Sequence, residues 1–305
     1  MKPDYEGARW AIYVADCVET LAGLPDDSID CAVFSSPFSS LYIYSDSERD
    51  MGNSSSNAEF LQHHGYMARE LYRVMKPGSV VCDHVKDTVF YQNSSETGES
   101  GVYPFSDDAS RNYREAGFCL RARVTVWRDP AREMQKSKHE RLLYKNLREN
   151  SRVTAMGMPE YILVMRKHSR GKNVGEKVTR SREDFPLEKW QEWASPVWMD
   201  TQQTNVLNAR FKCDRDERHI CPMPLDLIER CLTLYSNPGD IVLDPFNGIG
   251  STGYQAVKMG RRYLGVELKR EYARHAAKFI GEAEASSLTL FAEESRLAPQ
   301  CVSAE

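Results

Sequence analysis

Residues 241–268, IVLDPFNGIGSTGYQAVKMGRRYLGVEL, decide how the rest of this chain is read. Ile241–Asp244 is a short apolar run suited to a strand buried on both faces, and it ends on a carboxylate. A glycine-rich turn opens a helix behind it, and a second strand, Tyr263–Val266, stops at Glu267. Gly248 and Gly250 let the backbone turn tightly and approach a ligand. An acidic side chain ending the second strand stands where two ribose hydroxyls can donate to it. With Gly253 these glycines satisfy G-x-G-x-x-G, which alone would also suit a dinucleotide. Asp244, Pro245 and Phe246 argue against that ligand. A carboxylate and a ring suit a cationic sulfonium and an α-amino group better than a pyrophosphate.

Only about 38 residues follow Glu267, too few to finish a doubly wound sheet after its first crossover. The missing strands must come from earlier in the chain, and Ile12–Ala15, Cys31–Phe34 and Val80–His84 have the required apolar character. They complete the sheet begun at Ile241 in a circularly permuted order. Phe60, Met67, Leu71 and Val74 predict the apolar face of a helix running from an Asn57 cap to about Met75. Lys76-Pro77-Gly78 predicts its stop. Arg121–Trp127 alternates as a half-exposed strand, with Glu160–Met165 expected to pair with it as a closing hairpin. Between them the charged stretch Arg132–Arg152 reads as helical. Residues 166–186 read as a polar, basic linker or small inserted element, which Trp190, Trp193 and Trp198 are expected to anchor to the body. Leu225, Ile228, Cys231, Leu232 and Tyr235 mark one more amphipathic helix.

The strand SIDCAVF (28–34) ends in Ser35-Ser36-Pro37-Phe38, which sets out hydroxyls, a locked backbone angle and a stacking surface within four residues. Taken alone this is a plain strand-to-loop turn, since serines cap and proline commonly follows strands. Asp83, His84 and Asp87 fall where the Val80–His84 strand ends, at the same end of the sheet. A histidine there is more often structural than a substrate contact, and Cys82 reads as core.

A chain of 305 residues can bury a large core, and its 41% hydrophobic and 28% charged composition is that of an ordinary globular protein. The net charge of −4 at first argues against a polyanionic partner, but the distribution argues for one. Arg121 to Arg182 carries 17 Lys+Arg against 6 Asp+Glu, the footprint of a surface that holds a nucleic acid. Eight cysteines are scattered singly, which suits reduced thiols in a cytoplasm-like compartment. Cys213, His219 and Cys221 lack paired C-x-x-C spacing, so no metal site is expected. No apolar run approaches the roughly 18 residues of a membrane span, and the N-terminal MKPDYEGARW is neither a signal nor a transit peptide.

D-P-F-x-G-x-G-S-T followed by G-V-E-L late in the chain, with a strand ending in S-S-P-F early in it, resembles the permuted (β-group) amino DNA methyltransferases. The resemblance covers about residues 10–165 and 195–280. It implies a Rossmann-like class I α/β methyltransferase sheet, circularly permuted, with residues 1–165 and 196–285 as catalytic domain, 166–195 as an inserted basic target-recognition element and 286–305 as a tail. Methylases carried by phages and prophages have a similar layout. The implied cofactor is S-adenosylmethionine (AdoMet), and the implied partner is double-stranded DNA in the cytoplasm of a bacterial or phage-infected cell. A homodimer stays open.

By position, Asp244, Pro245, Phe246, Gly248 and Gly250 would form the AdoMet loop, Ser251 would cap the following helix, Glu267 would hold the ribose, and Asp16 would meet the adenine amine. Ser35, Ser36, Pro37 and Phe38 occupy the tetrad that receives the target base, while Arg121, Arg123, Arg128, Lys136 and Lys138 would contact DNA. An exocyclic amine is a poor nucleophile because its lone pair is delocalised. Acceptors at Ser35 Oγ and the Ser36 carbonyl would hold both N–H groups and expose that pair, with the flipped base stacked on Phe38. Serine is not a base near neutrality, so the proton is expected to leave to water or a carbonyl. The family's tetrad has two prolines, and Ser36 stands in place of the first, which should remove a conformational lock. A serine-led tetrad with Phe leans toward N4 of cytosine over N6 of adenine. RNA or protein-amide methylation, a DNA-binding relative with a decayed site, and, weakest, an NAD-dependent oxidoreductase are the alternatives.

Overall fold

Two parallel strands from the end of the chain lie inside a sheet otherwise built from its first two hundred residues. The computed structural model describes residues 2–38, 47, 49–90, 98–137, 143–169, 176–207 and 222–297. Its first half comprises β1 (Tyr5–Glu6), β2 (Trp10–Val14), α1 (Cys17–Ala22), β3 (Ile29–Phe34), α2 (Asn57–Val74), β4 (Met75–Lys86), β5 (Thr88–Phe90), β6 (Gly101–Tyr103), α3 (Phe105–Ala116) and β7 (Cys119–Val126). The second half comprises α4 (Pro130–Ser137), α5 (Tyr144–Asn150), β8 (Glu160–Arg166), α6 (Leu187–Trp193), β9 (Val197–Trp198), α7 (Leu225–Tyr235), β10 (Ile241–Asp244), α8 (Ser251–Lys258), β11 (Arg262–Glu267) and α9 (Arg270–Leu297). The main sheet has the order β1-β2-β11-β10-β3-β4-β8-β7-β9. Strands β2, β11, β10, β3 and β4 are parallel, so their C-terminal ends share one edge, where ligands bind in open α/β sheets. β8 runs antiparallel to both β4 and β7, the closing hairpin expected from the alternation of Arg121–Trp127.

Both faces of the sheet are covered, which is why β3 reads as an unbroken apolar run. Cys31 and Val33 pack with Ile228 and Cys231 of α7, Val257 of α8 and Ile280 of α9. Ala32 and Phe34 point the other way, into Phe60 and Leu71 of α2 and Phe105 and Tyr113 of α3. No helix among the described residues is long and apolar enough to cross a membrane.

Three local expectations change. Ser56, not Asn57, caps α2, its hydroxyl accepting the Glu59 N–H at 3.2 Å. The helix stops at Val74 as Lys76-Pro77-Gly78 predicts, but these residues form no separate turn, because the strand starts at Met75 and carries them as a bulge. Gly78 permits it with φ of 85°. The stretch from Arg132 to Arg152 contains α4 and α5 rather than one helix, with residues 138–142 outside the described set.

The basic segment after β8 is anchored at the sheet edge where the parallel strands begin. Lys167 is buried and donates to Asp27 Oδ1 at 2.7 Å and to the Met75 carbonyl at 2.7 Å. Arg180 donates to the Thr233 carbonyl at 2.6 Å and to Asn237 Oδ1 at 3.1 Å. Trp193 and Trp198 are the buried anchors, each ring centroid 5.2 Å from the Arg230 guanidinium, whereas Trp190 is half exposed.

Candidate active site

β10 delivers Asp244 to the sheet edge, where Oδ1 accepts the Phe246 N–H at 2.9 Å and folds the turn. Burial pushes this carboxyl up to about 7 against the opposing bonds from Phe246 and Thr252. The turn then needs left-handed backbone, with φ of 51° at Gly248 and 85° at Gly250. A Cβ at Gly250 would sit 2.8 Å from that of Ala276, so glycine also lets α9 close against the loop. At the end of β11, Glu267 Oε2 accepts the Gly248 N–H at 2.7 Å while Oε1 accepts that of Lys269 at 2.8 Å. Burial pushes Glu267 up to about 7 as well. Ser251 was expected to cap α8, but Gly250 holds the cap position and Ser251 is the first helical residue. Its hydroxyl is buried on the cavity wall without a partner. Asp16 caps α1, Oδ1 accepting the Glu19 N–H at 3.0 Å.

The neighbouring strands β3 and β4 build the second half. Ser35 Oγ donates to the His84 carbonyl at 3.0 Å and lies 3.2 Å from His84 Nδ1. His84 Nε2 lies 2.7 Å from Glu160 Oε2, the oxygen that also receives Arg128. Burial acts to raise Glu160, but His84 and then Arg128 outweigh it and hold the carboxyl at about 2. Phe38 stands edge-on to the imidazole, ring centroids 6.1 Å apart.

Ser36 does not leave its segment unlocked. Its N–H donates to Asp83 Oδ1 at 3.0 Å and its hydroxyl to Asp83 Oδ2 at 2.8 Å, where the Tyr113 hydroxyl also donates at 2.8 Å. Three hydrogen bonds on one buried carboxyl replace the constraint expected from proline. Restoring the proline, Ser36→Pro, removes two of them at once. We expect it to lower stability by about 2–4 kcal/mol, read as a fall in Tm; a variant as stable as the parent would show that the Asp83 bonds hold nothing.

Burial pushes Asp83, too, up to about 7 against the Ser36 and Tyr113 bonds. With its folded pKa raised above the unfolded value, such a carboxyl contributes stability below about pH 4 that is lost as pH rises through 7. Asp244 and Glu267 act in the same direction. Glu160 acts oppositely, and only below about pH 4.5. The Tm of the AdoMet-free protein should therefore fall between pH 5 and 8 by on the order of 5 °C, and Asp83→Asn should flatten part of that fall. A Tm independent of pH in wild type would contradict the burial argument.

One cavity of about 670 Å³ joins the two halves, lined by Asp16, Asp244, Phe246 and Glu267 of the first and Ser35, Phe38 and His84 of the second. The residues assigned to DNA are more scattered. Arg128 is buried against Glu160 and cannot reach a phosphate, a correction set by an ion pair 32 residues apart in sequence. Arg123 pairs with Asp107 at 2.6 Å, and Arg121 is exposed on β7. Lys136 belongs to α4, while Lys138 and the Cys213, His219 and Cys221 group lie outside the described residues. Sequence reasoning did not connect Glu160, Arg128 and His84, nor Ser36, Asp83 and Tyr113. The available signal was an acid at the start of the otherwise apolar EYILVM run.

The family model for N6/N4 methyltransferases, described as DNA methylase, matches residues 29–278. Relatives include the type II methyltransferase M.BglII of Bacillus subtilis, 25% identical over 276 residues, spanning 88% of this chain and 68% of that protein. The orphan methyltransferase M.BamHII of Bacillus amyloliquefaciens is 29% identical over 269 residues, 81% of this chain and 86% of its own. Among solved structures, TTHA0409 of Thermus thermophilus, assigned as a DNA modification methylase and complexed with S-adenosyl-L-methionine, superposes with a TM-score of 0.64 at 25% identity, covering 91% of this chain and 96% of that one. The cytosine-N4-specific PvuII DNA methyltransferase shares the fold, with a TM-score of 0.64 at 16% identity over 94% of this chain and 95% of its own. The family match runs from β3 into α9 and so takes in both walls of the cavity. The chain belongs to the N6/N4 family of DNA methylases and is an AdoMet-dependent DNA methyltransferase.

Proposed function

We propose that the enzyme methylates the exocyclic amine of a base flipped out of double-stranded DNA, N4 of cytosine in preference to N6 of adenine. The observation that carries this reading is the single cavity in which the serine-led tetrad faces the glycine loop. The residues fit AdoMet chemically: a buried Asp244 awaits a counter-charge, and the Ser251 hydroxyl lacks a partner that a ligand could supply. When bound, AdoMet supplies a methyl group on a sulfonium that departs as a neutral thioether. Glu267 accepts from the ribose hydroxyls, Asp16 from the adenine amine, and Asp244 with Phe246 faces the amino-acid part. Ser35 Oγ and the Ser36 carbonyl accept the two N–H bonds of the target amine, while Phe38 offers a stacking face. These groups act by alignment and electrostatics, without covalent catalysis.

Cytosine is favoured because the tetrad opens on a neutral hydroxyl and closes on Phe. Within the basic region, Lys167 and Arg180 are tied into the body, so we place duplex recognition mainly on α4 and α5, beside the exposed Tyr144 and Leu147. Incubation with tritiated AdoMet and unmethylated duplex DNA, followed by nucleoside mass spectrometry, tests the reading. N4-methylcytosine is expected; N6-methyladenine alone overturns the base preference, and bound AdoMet with no labelled DNA overturns the substrate.

A further inference from the structure

We propose that His84 takes up, through the Ser35 hydroxyl, the proton that the methylated amine must release, with Glu160 and Arg128 holding the imidazole ready to receive it. The inference rests on the reading that Ser35 binds the target amine. It replaces the expectation that the proton departs to water or a carbonyl.

Geometry sets the direction of transfer. A carboxylate held ionised can only accept, so the 2.7 Å contact with Glu160 Oε2 places the imidazole proton on Nε2. In the neutral imidazole, which carries a single ring proton, Nδ1 then keeps its lone pair, and Ser35 Oγ lies 3.2 Å from it. The Ser35 O–H has a second acceptor in the His84 carbonyl at 3.0 Å, so a small rotation of the hydroxyl switches it between the two. Arg128 pairs with the same Glu160 oxygen, and that carboxylate, held at about 2, stays charged throughout the working pH range. A purely structural histidine would be satisfied by Glu160 alone. Here its other nitrogen faces the hydroxyl that lines the cavity.

In the step itself, the amine lone pair forms the N–CH₃ bond as the S–CH₃ bond breaks, its electron pair passing to sulfur. The nitrogen, now cationic, gives one proton to Ser35 Oγ while the Ser35 O–H proton moves to His84 Nδ1. Ser35 ends unchanged, the product amine is neutral, and the imidazolium lies against Glu160. The arrangement follows the logic of a serine–histidine–carboxylate array, with the serine passing a proton rather than attacking.

Other titratable groups near His84 are accounted for. Lys86, further along β4, is ion-paired with Glu133 of α4, and Asp83 is bonded to Ser36 and Tyr113. Asp87 accepts the Ser106 N–H at 2.9 Å, and Asp16, Arg49, Asp50, Asp244 and Glu267 line the same cavity.

The test is single-turnover transfer from AdoMet to duplex DNA between pH 5 and 9 for wild type, His84→Gln and Glu160→Gln, with AdoMet affinity measured by calorimetry in each. In wild type the rate should rise with pH to a plateau, because the relay needs an unprotonated acceptor. His84→Gln should lower the plateau by about 100-fold and remove that rise, with AdoMet affinity unchanged. Glu160→Gln should lower the plateau as well, by less than His84→Gln, because the imidazole loses the carboxylate acceptor that fixes its tautomer. A readout independent of turnover is the ¹⁵N spectrum of His84 in the AdoMet-free wild type, which should show a proton on Nε2 and none on Nδ1 at pH 9. That measurement needs no variant to fold. A His84→Gln rate within twofold of wild type at every pH, or a proton on Nδ1, overturns the relay. Wild type that binds AdoMet but labels no DNA overturns the parent reading and the relay with it.

Discussion

Glu267→Ala should weaken AdoMet binding by about 100-fold or more, measured by calorimetry, while leaving the sheet folded. Its carboxylate holds both the Gly248 and the Lys269 N–H groups, at 2.7 and 2.8 Å, so the side chain shapes the loop as well as facing the cavity. Removing it strands two backbone donors and, on our reading, two ribose hydroxyls. Charged hydrogen bonds contribute roughly 1.5–3 kcal/mol each, and a loss of about 2.7 kcal/mol is already 100-fold in affinity. Glu267→Gln keeps one acceptor oxygen and should lose closer to tenfold. Affinity in wild type should also rise as pH increases through 7, since a cationic ligand and hydroxyl donors favour the ionised forms of Asp244 and Glu267. If Glu267→Ala bound AdoMet normally, the cofactor would not lie against the end of β11.

Ser35→Ala should reduce methyl transfer by about 10²–10³-fold, the usual loss when one preorganised group is removed from a reacting centre. AdoMet affinity should be unchanged, because the Ser35 hydroxyl bonds to His84 rather than to the glycine loop. The variant loses the acceptor for the target amine and its connection to His84 at 3.2 Å in a single change. Single-turnover rates measured beside AdoMet affinity separate this outcome from general damage to the site. A rate near wild type would mean that the base is held elsewhere.

Much of this architecture could be read from local sequence. The turn between β10 and α8 is specified by glycines whose freedom is needed at particular backbone angles, and by acids that end adjacent strands. The buried strands and the helices α2 and α7 announce themselves by periodicity over a dozen residues.

The partners of the polar groups were a different matter. Ser36 meets Asp83 across 47 residues and His84 meets Glu160 across 76, so both contacts exist only once β3, β4 and β8 are in register. Arg128 belongs to a basic stretch by composition but to Glu160 by geometry. The bulge at Lys76-Pro77-Gly78 likewise depends on the adjoining strands, through the Gly78 N–H donated to the Lys167 carbonyl at 3.0 Å. Sequence by itself determined the buried parallel strands and the glycine-rich turn, because steric freedom and hydrophobic period act over a few neighbouring residues. The tertiary structure decided which buried charges neutralise one another and which histidine the Ser35 hydroxyl meets, because a buried ionic group is satisfied by whatever distant strand packs beside it.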